Sequence, residues 1–477
     1  MAADLKDTAY FGGDTWEYQS MGVNFAKGHG LQIFGGVEPF ETYKFEPFDS
    51  PPTYYNEFFA RAGRQAFYRT PVYQLFLGLV YKAVGISPRT IKCLQLLMLV
   101  VIAAALPFIG LHYWGKSGFI AGLAASVLYL ATNHGFAEEI MTECLTAFAV
   151  FLVLVSFMAH ERRRNMLTAI SLGLSLGFAP LVKGTLFFLP ILIGAAILVR
   201  AVADRDPKAF KRLIVITAAA TLLIAPWTAY VRLRTGAVVV LSTQGDYQLL
   251  ADNTEFCADG RWHPEGVEKK DSFYNTDGIP REQVVAKVVN FYWHHPALLP
   301  RCMAAKFVAG FGPLPFLWMF AAFVFLAGLG RMADRRLKSD ALKVVCFSVL
   351  ASLSVLAFVA AYHVARQRRI HIDEWIAGGW LLPKAVPVVA IGWLVYLLVA
   401  GRAAFRIPTA FWIIAVNFLL MTLVFHAEPS SIVGSRLVAP MDFIFALLCC
   451  VSGIYFCRDV GVTLQKPVAP WTKMESG

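Results

Sequence analysis

Long apolar runs separated by short polar breaks fill most of the chain after residue 87. A helix rises about 1.5 Å per residue, so runs of this length can cross the roughly 30 Å of hydrocarbon in a bilayer. The pattern therefore predicts an all-α polytopic membrane protein. About eleven spans are expected, near residues 88–113, 118–134, 143–160, 166–181, 184–200, 212–231, 306–329, 344–362, 385–400, 408–425 and 437–457.

The composition agrees with this membrane pattern. The 477 residues are 57% apolar and only 16% charged, whereas soluble domains are about 45–50% apolar and about 25% charged. Lys and Arg in the short loops explain the net charge of +11, so no nucleic-acid partner is expected. The eight cysteines show neither metal-site spacing nor a disulfide framework. Cys257 and Cys302 share one polar loop, in which a disulfide could form.

Lys and Arg are unevenly divided between alternate loops. The loops at 134–142 and 426–435 contain none, whereas the loops of the other set are rich in both. Because positive loops stay in the cytoplasm, the rich set is expected inside: Lys116, Arg162–Arg164, Arg205–Arg212, Arg331–Lys338 and Arg402–Arg406. Arg366, Arg368 and Arg369 disagree, because the same count of spans puts them outside.

This orientation predicts five regions: a first extracytoplasmic loop with interfacial helices at 1–87, a transmembrane bundle at 88–231, a large extracytoplasmic loop at 232–305, C-terminal transmembrane helices at 306–457 and a cytoplasmic tail at 458–477. The interfacial helices and outer loops are expected to form a small extracytoplasmic layer. Export of residues 1–87 requires an apolar signal, and no apolar run follows Met1. A first span is therefore expected ahead of Met1. The alternative is an inverted topology with this region inside.

Residues 72–85 form an amphipathic stretch that is too short to cross a bilayer. The pattern predicts a helix that lies in the membrane interface. Tyr73 and Tyr81 are expected at the level of the lipid headgroups, where aromatic side chains with a polar tip are enriched.

A polar, aromatic stretch ahead of the spans contains Asp14 and, one helical turn further on, Tyr18. A carboxylate at a membrane surface can take the proton of a hydroxyl acceptor as that hydroxyl becomes a nucleophile. The pair is a candidate site, with Asp14 as the general base and Tyr18 as a substrate-binding residue. The structural alternative is that Asp14 only caps a helix that starts in Gly13-Asp14-Thr15.

Glu138, Glu139 and Glu143 lie at the outer entry to the third span. Because Glu139 and Glu143 are four residues apart, they are expected to share a helix face. A carboxylate in or near a span is costly and usually has a partner or a task. Glu143 is therefore predicted to be catalytic and Glu139 to bind substrate, and the pair could hold a divalent cation. The alternative is that Glu138 and Glu139 are solvated loop residues.

Four cations are expected on the outer side: Lys183, Arg232, Arg234 and Arg436. Arg binds phosphate with a two-pronged geometry and Lys binds it as a point charge. Lys183, Arg232 and Arg436 are therefore predicted to bind substrate, because a phosphate leaving group needs positive charge in the transition state. The alternative is that the arginines extend towards lipid headgroups.

Asp204-Arg205-Asp206 has the Asp-x-Asp spacing of a site that holds a metal and a nucleotide sugar. Asp206 precedes Pro207, and this pair is typical of a helix N-cap followed by Pro at the first helical position. The capping interpretation is preferred, and no nucleotide-sugar site is expected.

Several motifs occur in the order found in a known family. The run Asp14-x3-Tyr18-x3-Gly22-x2-Phe25-x2-Gly28-x-Gly30 resembles the first outer loop of GT-C-type membrane glycosyltransferases, the group that contains protein O-mannosyltransferases and aminoarabinose transferases. Each motif is loose, but the ordered set is fairly specific. The other resemblances are Tyr68-Arg69-Thr70-Pro71-Val72-Tyr73, Thr142-Glu143, Gly177-Phe178-Ala179-Pro180-Leu181-Val182-Lys183, Pro226-Trp227-Thr228, Leu241-Ser242-Thr243-Gln244-Gly245, Asp252-Asn253, and Arg436 with Pro440.

The resemblance implies an enzyme of the inner (plasma) membrane that uses a polyprenyl-phosphate-sugar donor. Its sugar would pass, with inversion, to a hydroxyl of a glycolipid, polysaccharide or protein on the extracytoplasmic face. Asp14 would be the general base, and Glu143 would orient the acceptor or Asp14. The family has a span before the Asp, and it often has Arg-Asn where this chain has Tyr230-Val231. The second departure leaves the role of Arg232 open.

Two other functions stay open at this stage. A lipid-linked sugar transporter or flippase would be expected to carry charges near mid-membrane and a two-fold repeat; here the acidic groups cluster at one face and no repeat is evident. A non-catalytic subunit of a cell-envelope assembly complex would use the aromatic N-terminal region and the 232–305 loop.

Overall fold

The structure is a computed structural model, and it describes most of the first half of the chain and part of the second. The described residues are 5–9, 14–33, 40–45, 64–65, 67, 69–236, 238–242, 249, 253, 281–311, 407–424, 429–430, 434–435 and 439–465. The spans predicted at 344–362 and 385–400, and most of the one at 306–329, lie outside these ranges.

Helices dominate the described residues. They are α1 Thr15–Ala26, α2 Pro71–Val84, α3 Pro88–Asn133, α4 Glu143–Arg163, α5 Met166–Val182, α6 Phe188–Ala203, α7 Pro207–Thr235, α8 Arg281–His294, α9 Leu298–Phe311, α10 Thr409–Val424 and α11 Asp442–Gln465. Single 3-10 turns occupy Phe40–Tyr43, His134–Ala137, Gly184–Leu186 and Ala439–Met441. Two antiparallel pairs of two-residue strands complete the described elements, β1 Gln32–Ile33 with β2 Arg64–Gln65 and β3 Pro429–Ser430 with β4 Gly434–Ser435.

The prediction of an all-α polytopic membrane protein is confirmed. In the described part of the chain, four helical segments are long and apolar enough to cross a membrane: Pro88–Ala137, Glu143–Arg163, Gly184–Ala203 and Pro207–Arg234. Shorter apolar helices cover Met166–Val182, Thr409–Met421 and Asp442–Ser452. The observed ends lie within a few residues of the predicted spans in these regions.

Helix α3 is a hairpin of two helical arms that turn back at Gly115, where φ is 64°. This backbone conformation suits glycine, which has no Cβ to clash. The arms approach so closely that a Cβ on Gly110 would lie 2.0 Å from the Gly118 carbonyl oxygen. Ser126 Oγ donates across the hairpin to the Ala103 carbonyl oxygen at 2.5 Å. The two spans predicted on either side of Gly115 are therefore present as two separate helical arms.

Glycines also bring α5 and α7 into close contact. A Cβ on Gly173 would lie 2.4 Å from the Ile216 carbonyl oxygen, and one on Gly177 would lie 2.6 Å from that of Ala220. Small residues four apart allow this approach in membrane helices, where packing rather than water exclusion drives association. The contact fixes the end of α5, at which Lys183 lies.

Helices α1 and α2 pack against each other through Gly22 and Gly78, which face Leu77 and Phe25 respectively. The predicted helix at 72–85 is present as α2, and its Tyr73 and Tyr81, predicted at the level of the lipid headgroups, are buried inside the protein. Tyr73 is 0% exposed and Tyr81 is 2% exposed. Their hydroxyls donate to the side-chain oxygens of Gln95 and Gln19, respectively. These internal acceptors satisfy the phenols, so the rings pack inside the protein.

The α4–α5 and α6–α7 turns lie at the same end of the bundle. Arg200 Nη1 is 3.0 Å from Glu161 Oε1, and Arg164 Nη1 is 3.9 Å from Asp204 Oδ2. Asp206 accepts a hydrogen bond from the Lys208 amide at the start of α7. The capping interpretation of the Asp-x-Asp spacing is therefore confirmed.

The chain divides into two compact units. One contains Met1–Ile102, Leu130–Gly310 and Thr409–Met441, and the other contains Ala103–Tyr129, Phe311–Pro408 and Asp442–Gly477. In the first unit, Asn253 Oδ1 accepts hydrogen bonds from Tyr292 and from the buried Lys306. Cys302 is in a disulfide, and Cys257, its proposed partner, lies outside the described residues.

Candidate functional site

Arg69 joins two carboxylates at the start of α1. Its Nη2 is 2.7 Å from Asp14 Oδ1 and 2.6 Å from Glu17 Oε2. Its Nε also donates to Glu17 Oε2 at 2.9 Å, and its Nη1 donates to Asp14 Oδ2 at 3.3 Å. The side chains of Arg69 and Glu17 are only 8% and 4% exposed, whereas that of Asp14 is 42% exposed. Asp14 is thus the member of this cluster that a substrate can reach.

Local backbone geometry explains why these three residues meet. Asp14 occupies the N-cap position of α1, yet its side chain makes no capping hydrogen bond, because it faces Arg69 instead. Glu17 follows in the first turn of the helix. Arg69 precedes Thr70, whose extended conformation (ψ 143°) is the one that a following proline imposes. This extended segment carries Arg69 across to α1 before α2 begins at Pro71.

A second ion pair lies beside the first cluster. Lys183 Nζ is 3.4 Å from Glu143 Oε1, and the two side chains are 20% and 4% exposed. Glu143 is the first residue of α4, and Lys183 follows the last residue of α5 in an extended conformation. The helix ends therefore bring together two charges that are 40 residues apart in sequence.

Thr70 connects the two groups of charges. Thr70 Oγ1 donates to the Val182 carbonyl oxygen at 2.8 Å, so the residue after Arg69 contacts the residue before Lys183. A Cβ built on Gly184 would lie 4.0 Å from Thr70 Cγ2. Asp14, Glu17, Arg69, Glu143 and Lys183 are hereafter called the charge cluster.

Tyr18 is a buried aromatic residue that contacts Arg69 of the charge cluster. Its ring packs edge-on against Tyr73 at 5.0 Å, and the Arg69 guanidinium lies 5.2 Å from its centroid. Burial raises the pKa of the Tyr18 phenol, and Asp14, Glu143 and Glu17 raise it further against the opposing effect of Arg69. Tyr18 therefore stays neutral at physiological pH. Asp14 and Glu143, the two predicted catalytic carboxylates, both raise the pKa of this phenol.

Glu139 does not belong to the charge cluster as predicted. The expectation that Glu139 and Glu143 share a helix face is wrong, because α4 begins only at Glu143 and Glu139 lies in a bend before it. The Glu139 carbonyl oxygen accepts from Gln95 Nε2 at 2.7 Å, while its side chain is exposed. Glu138 and Glu139 are both exposed before α4, and the substrate-binding role of Glu139 stays a prediction.

The structure separates the predicted cations. Lys183 lies in the charge cluster, whereas Arg232 is exposed near the end of α7. Within the described ranges, no hydrogen bond or ion pair joins Arg232 to the cluster. Arg436 lies outside the described residues, so its predicted role remains a prediction.

Sequence reasoning missed Arg69 and Glu17 as site residues. Both were visible: Arg69 stands in Tyr68-Arg69-Thr70-Pro71, and Glu17 is three residues after Asp14. Charge balance could have found them, because a buried carboxylate needs a cation as a partner. Arg69 is the arginine that lies just before α2.

Two cations and three carboxylates make up the charge cluster. Among the described residues, no three His, Cys, Asp or Glu side chains are grouped as a metal site requires. Arg69 and Lys183 instead face the three carboxylates. The arrangement offers one reachable carboxylate beside fixed positive charge, which suits removal of a proton next to a group that develops negative charge.

Comparisons with known proteins give one structural likeness. No family model matches the chain, and no curated protein matches it. The chain is similar to two crystal structures of ArnT from Cupriavidus metallidurans, one bound to undecaprenyl phosphate and one in the apo state. The identities are 16% and 15%, the TM-scores are 0.36 and 0.37, and each match covers 96% of this chain and 75% of the other. At TM-scores this low, the likeness adds no weight to the assignment of a site or an activity.

Proposed function

We propose that this protein is a membrane glycosyltransferase that moves a sugar from a polyprenyl-phosphate donor to a hydroxyl acceptor on the extracytoplasmic face. The acceptor is a glycolipid, a polysaccharide or a protein. The observation that carries the proposal is Asp14, a reachable carboxylate that Arg69 holds beside Lys183 and Glu143. The ordered motifs that resemble GT-C-type enzymes point to the same chemistry.

The proposed reaction is a single inverting displacement. Asp14 takes the proton of the acceptor hydroxyl while the hydroxyl oxygen forms a bond to the anomeric carbon. The bond between that carbon and the phosphate oxygen breaks, and its electron pair leaves with the polyprenyl phosphate. A base in this role contributes typically ~10²–10⁴ in rate.

The cations have a separate task in this proposal. The leaving phosphate gains negative charge as the sugar departs, and fixed positive charge stabilises it most in a site that excludes water. Lys183, whose side chain is 20% exposed, offers the phosphate a point charge, while the buried Arg69 fixes the position of Asp14. Glu143 holds Lys183 and so sets the position of its ammonium group.

The test is a transfer assay on the purified full chain in liposomes. Polyprenyl-phosphate sugars labelled in the sugar are supplied with membrane glycolipids, polysaccharide and protein as acceptors. The proposal predicts a labelled acceptor together with an equal amount of free polyprenyl phosphate. Movement of intact labelled donor between leaflets without a new product would instead identify a flippase. Donor turnover only in the presence of another subunit would identify an assembly component.

A further inference from the structure

Two buried polar atoms next to the charge cluster have no hydrogen-bond partner in the described part of the chain. They are the side-chain oxygen Oδ1 of Asn417 and the hydroxyl oxygen Oγ1 of Thr185. Their residues are neighbours, because Asn417 Nδ2 donates to the Thr185 carbonyl oxygen at 3.1 Å. Buried polar atoms are almost always satisfied by protein, water or ligand, so two adjacent exceptions point to a missing partner.

Both atoms are unusual because polar groups are rare in apolar surroundings such as theirs. Asn417 is 0% exposed and is the one amide in the apolar helix α10, whose sequence is TAFWIIAVNFLLMTLV. Thr185 lies in the 3-10 turn Gly184–Leu186, which separates α5 from α6. Helix α10 packs against this turn and against α4 and α6. A polar group in such an apolar packing environment is expensive unless it has a role.

The turn that contains Thr185 lies close to the charge cluster. Lys183 is two residues before Thr185, and Val182 accepts the hydrogen bond from Thr70. Gly184, between Lys183 and Thr185, lies within van der Waals reach of Thr70. The Thr185–Asn417 pair therefore lies where α10 packs on the α5–α6 turn, two residues along the chain from Lys183.

The chemistry of the two atoms selects the kind of group that they can bind. Asn417 Oδ1 only accepts a hydrogen bond, and the hydroxyl of Thr185 can donate and accept. A phosphate or carboxylate oxygen would face Asn417 Oδ1 without a proton to donate. A hydroxyl group of a sugar matches both atoms, because it donates one hydrogen bond and accepts another. The nearby ammonium of Lys183 disfavours a metal ion.

We propose that Asn417 Oδ1 and Thr185 Oγ1 bind a hydroxyl of the sugar that the lipid-linked donor carries. This inference rests on the proposed function and deepens it, because it assigns the recognition of the sugar to α10 and the α5–α6 turn. The phosphate of the donor is bound elsewhere in the cluster. Loss of either polar atom should weaken binding of the glycosylated lipid and leave binding of the bare lipid phosphate unchanged.

The experiment compares Thr185→Val, which keeps the shape and removes the hydroxyl, with Thr185→Ser, which keeps the hydroxyl. Binding of two kinds of probe is measured by ligand-dependent thermal unfolding of the full chain in detergent. One probe is undecaprenyl phosphate, and the others are undecaprenyl-phosphate glucose, mannose, galactose and arabinose. Asn417→Leu gives the second comparison, because it has a similar volume and no polar atoms.

The proposal expects Thr185→Val to bind the preferred glycosylated lipid about tenfold more weakly, which corresponds to one lost hydrogen bond. Thr185→Ser should stay within about twofold of wild type, and all variants should bind undecaprenyl phosphate alike. Equal binding of every lipid by Thr185→Val and wild type would overturn the inference, as would a parallel loss for both kinds of lipid. Lower stability with unchanged lipid binding would also overturn it, because the two atoms would then hold an ordered water only.

The same data separate this inference from the proposed function. If the wild-type chain binds none of the glycosylated lipids, the proposed function fails and the sugar site fails with it. If the wild-type chain binds a glycosylated lipid and Thr185→Val and Asn417→Leu bind it equally well, only the sugar site fails.

Discussion

At the scale of single residues, Arg69 controls the electrostatics of the site. It donates to both Asp14 and Glu17, two carboxylates that would otherwise repel each other at the start of α1. Glu17 is almost fully buried and forms an ion pair with this guanidinium. Asp14 pairs with Arg69 while 42% of its side chain stays exposed, so a substrate hydroxyl can reach its carboxylate.

Tyr18 provides a pH-dependent test of this arrangement. Its pKa is raised in the folded protein, mainly by burial and then by the neighbouring carboxylates. A raised pKa gives a stability contribution that is present below the ordinary tyrosine value of about 10 and lost as the pH rises above it. Each such tyrosine changes the free energy of unfolding by up to about 1.4 kcal/mol per pH unit in this range.

Tyr18→Phe should therefore lose stability less steeply than wild type between pH 9 and 11, roughly one unit either side of the ordinary pKa. Thermal unfolding in one detergent, measured across this range for both proteins, gives the two slopes. The buried, neutral assignment of Tyr18 would be wrong if the slopes were equal.

Sequence reasoning found the residues whose chemistry is visible locally. Asp14, Glu143 and Lys183 stood out because charges near apolar runs are rare, and the structure brings these three to one end of the first unit. Arg69 and Asn417 were missed, because their significance depends on partners 55 and 232 residues away. No local spacing rule reports such pairs. Glu139 was placed wrongly, because the four-residue rule holds only inside a helix.

At the scale of elements, close helix packing positions the site. Gly173 and Gly177 let α7 approach α5 directly before Lys183, and Gly22 and Gly78 do the same for α1 and α2. Each contact places one part of the charge cluster. The helix ends were predictable from polar breaks such as Lys183-Gly184, whereas the choice of partner helices was not, because glycines also serve turns and termini.

Adding one methyl group at Gly173 tests the contact between α5 and α7. A Cβ on Gly173 would lie 2.4 Å from the Ile216 carbonyl oxygen and 2.7 Å from Ala219 Cβ. Gly173→Ala should therefore destabilise the protein by about 1–3 kcal/mol through overpacking, despite the higher helix propensity of Ala. The midpoint of thermal unfolding measures this change.

Gly194→Ala in α6 is the matched control. Its added Cβ would meet only Leu213 Cδ1, at an ordinary contact distance of 3.9 Å. Alanine has the better helix propensity by about 1 kcal/mol, so this variant should be neutral or more stable. Equal destabilisation of the two variants would mean that the close approach at Gly173 does not hold α5 against α7.

At the scale of the whole molecule, the basic turns and the charge cluster lie at opposite ends of the α4–α5 pair. The basic turns around Arg164 and Arg200 lie at one end, and Glu143 with Lys183 lies at the other. The positive-inside rule predicts that the basic end lies in the cytoplasm. This supports the prediction that the charge cluster faces the extracytoplasmic side.

Cysteine labelling in intact cells tests this orientation. Glu138 and Arg163 are both exposed, Glu138 near the charge cluster and Arg163 at the basic end. Glu138→Cys should react with a membrane-impermeant maleimide above the level of the parent chain. Arg163→Cys should react only after the membrane is permeabilised. The reverse pattern would place the site in the cytoplasm and exclude the proposed donor geometry.

Much of the architecture followed from hydropathy alone. The spans between residues 88 and 231 were predicted to within a few residues, because about twenty consecutive apolar residues are a strong signal. The burial of α2 was not predicted, because an amphipathic segment looks the same whether its apolar face meets lipid or protein. Tyr73 and Tyr81 were assigned to the headgroups for that reason, although glutamine side chains inside the protein accept their hydrogen bonds.

The rate of sugar transfer by Asp14→Asn tests the central claim most directly. Arg69 retains Glu17 as a partner in this variant, so the fold should persist and its unfolding midpoint should stay near that of wild type. Glu138→Gln makes the same chemical change at an exposed carboxylate outside the cluster. We expect Asp14→Asn to lose ~10²–10⁴ in turnover, with Glu138→Gln close to wild type. Wild-type turnover by Asp14→Asn would contradict the account.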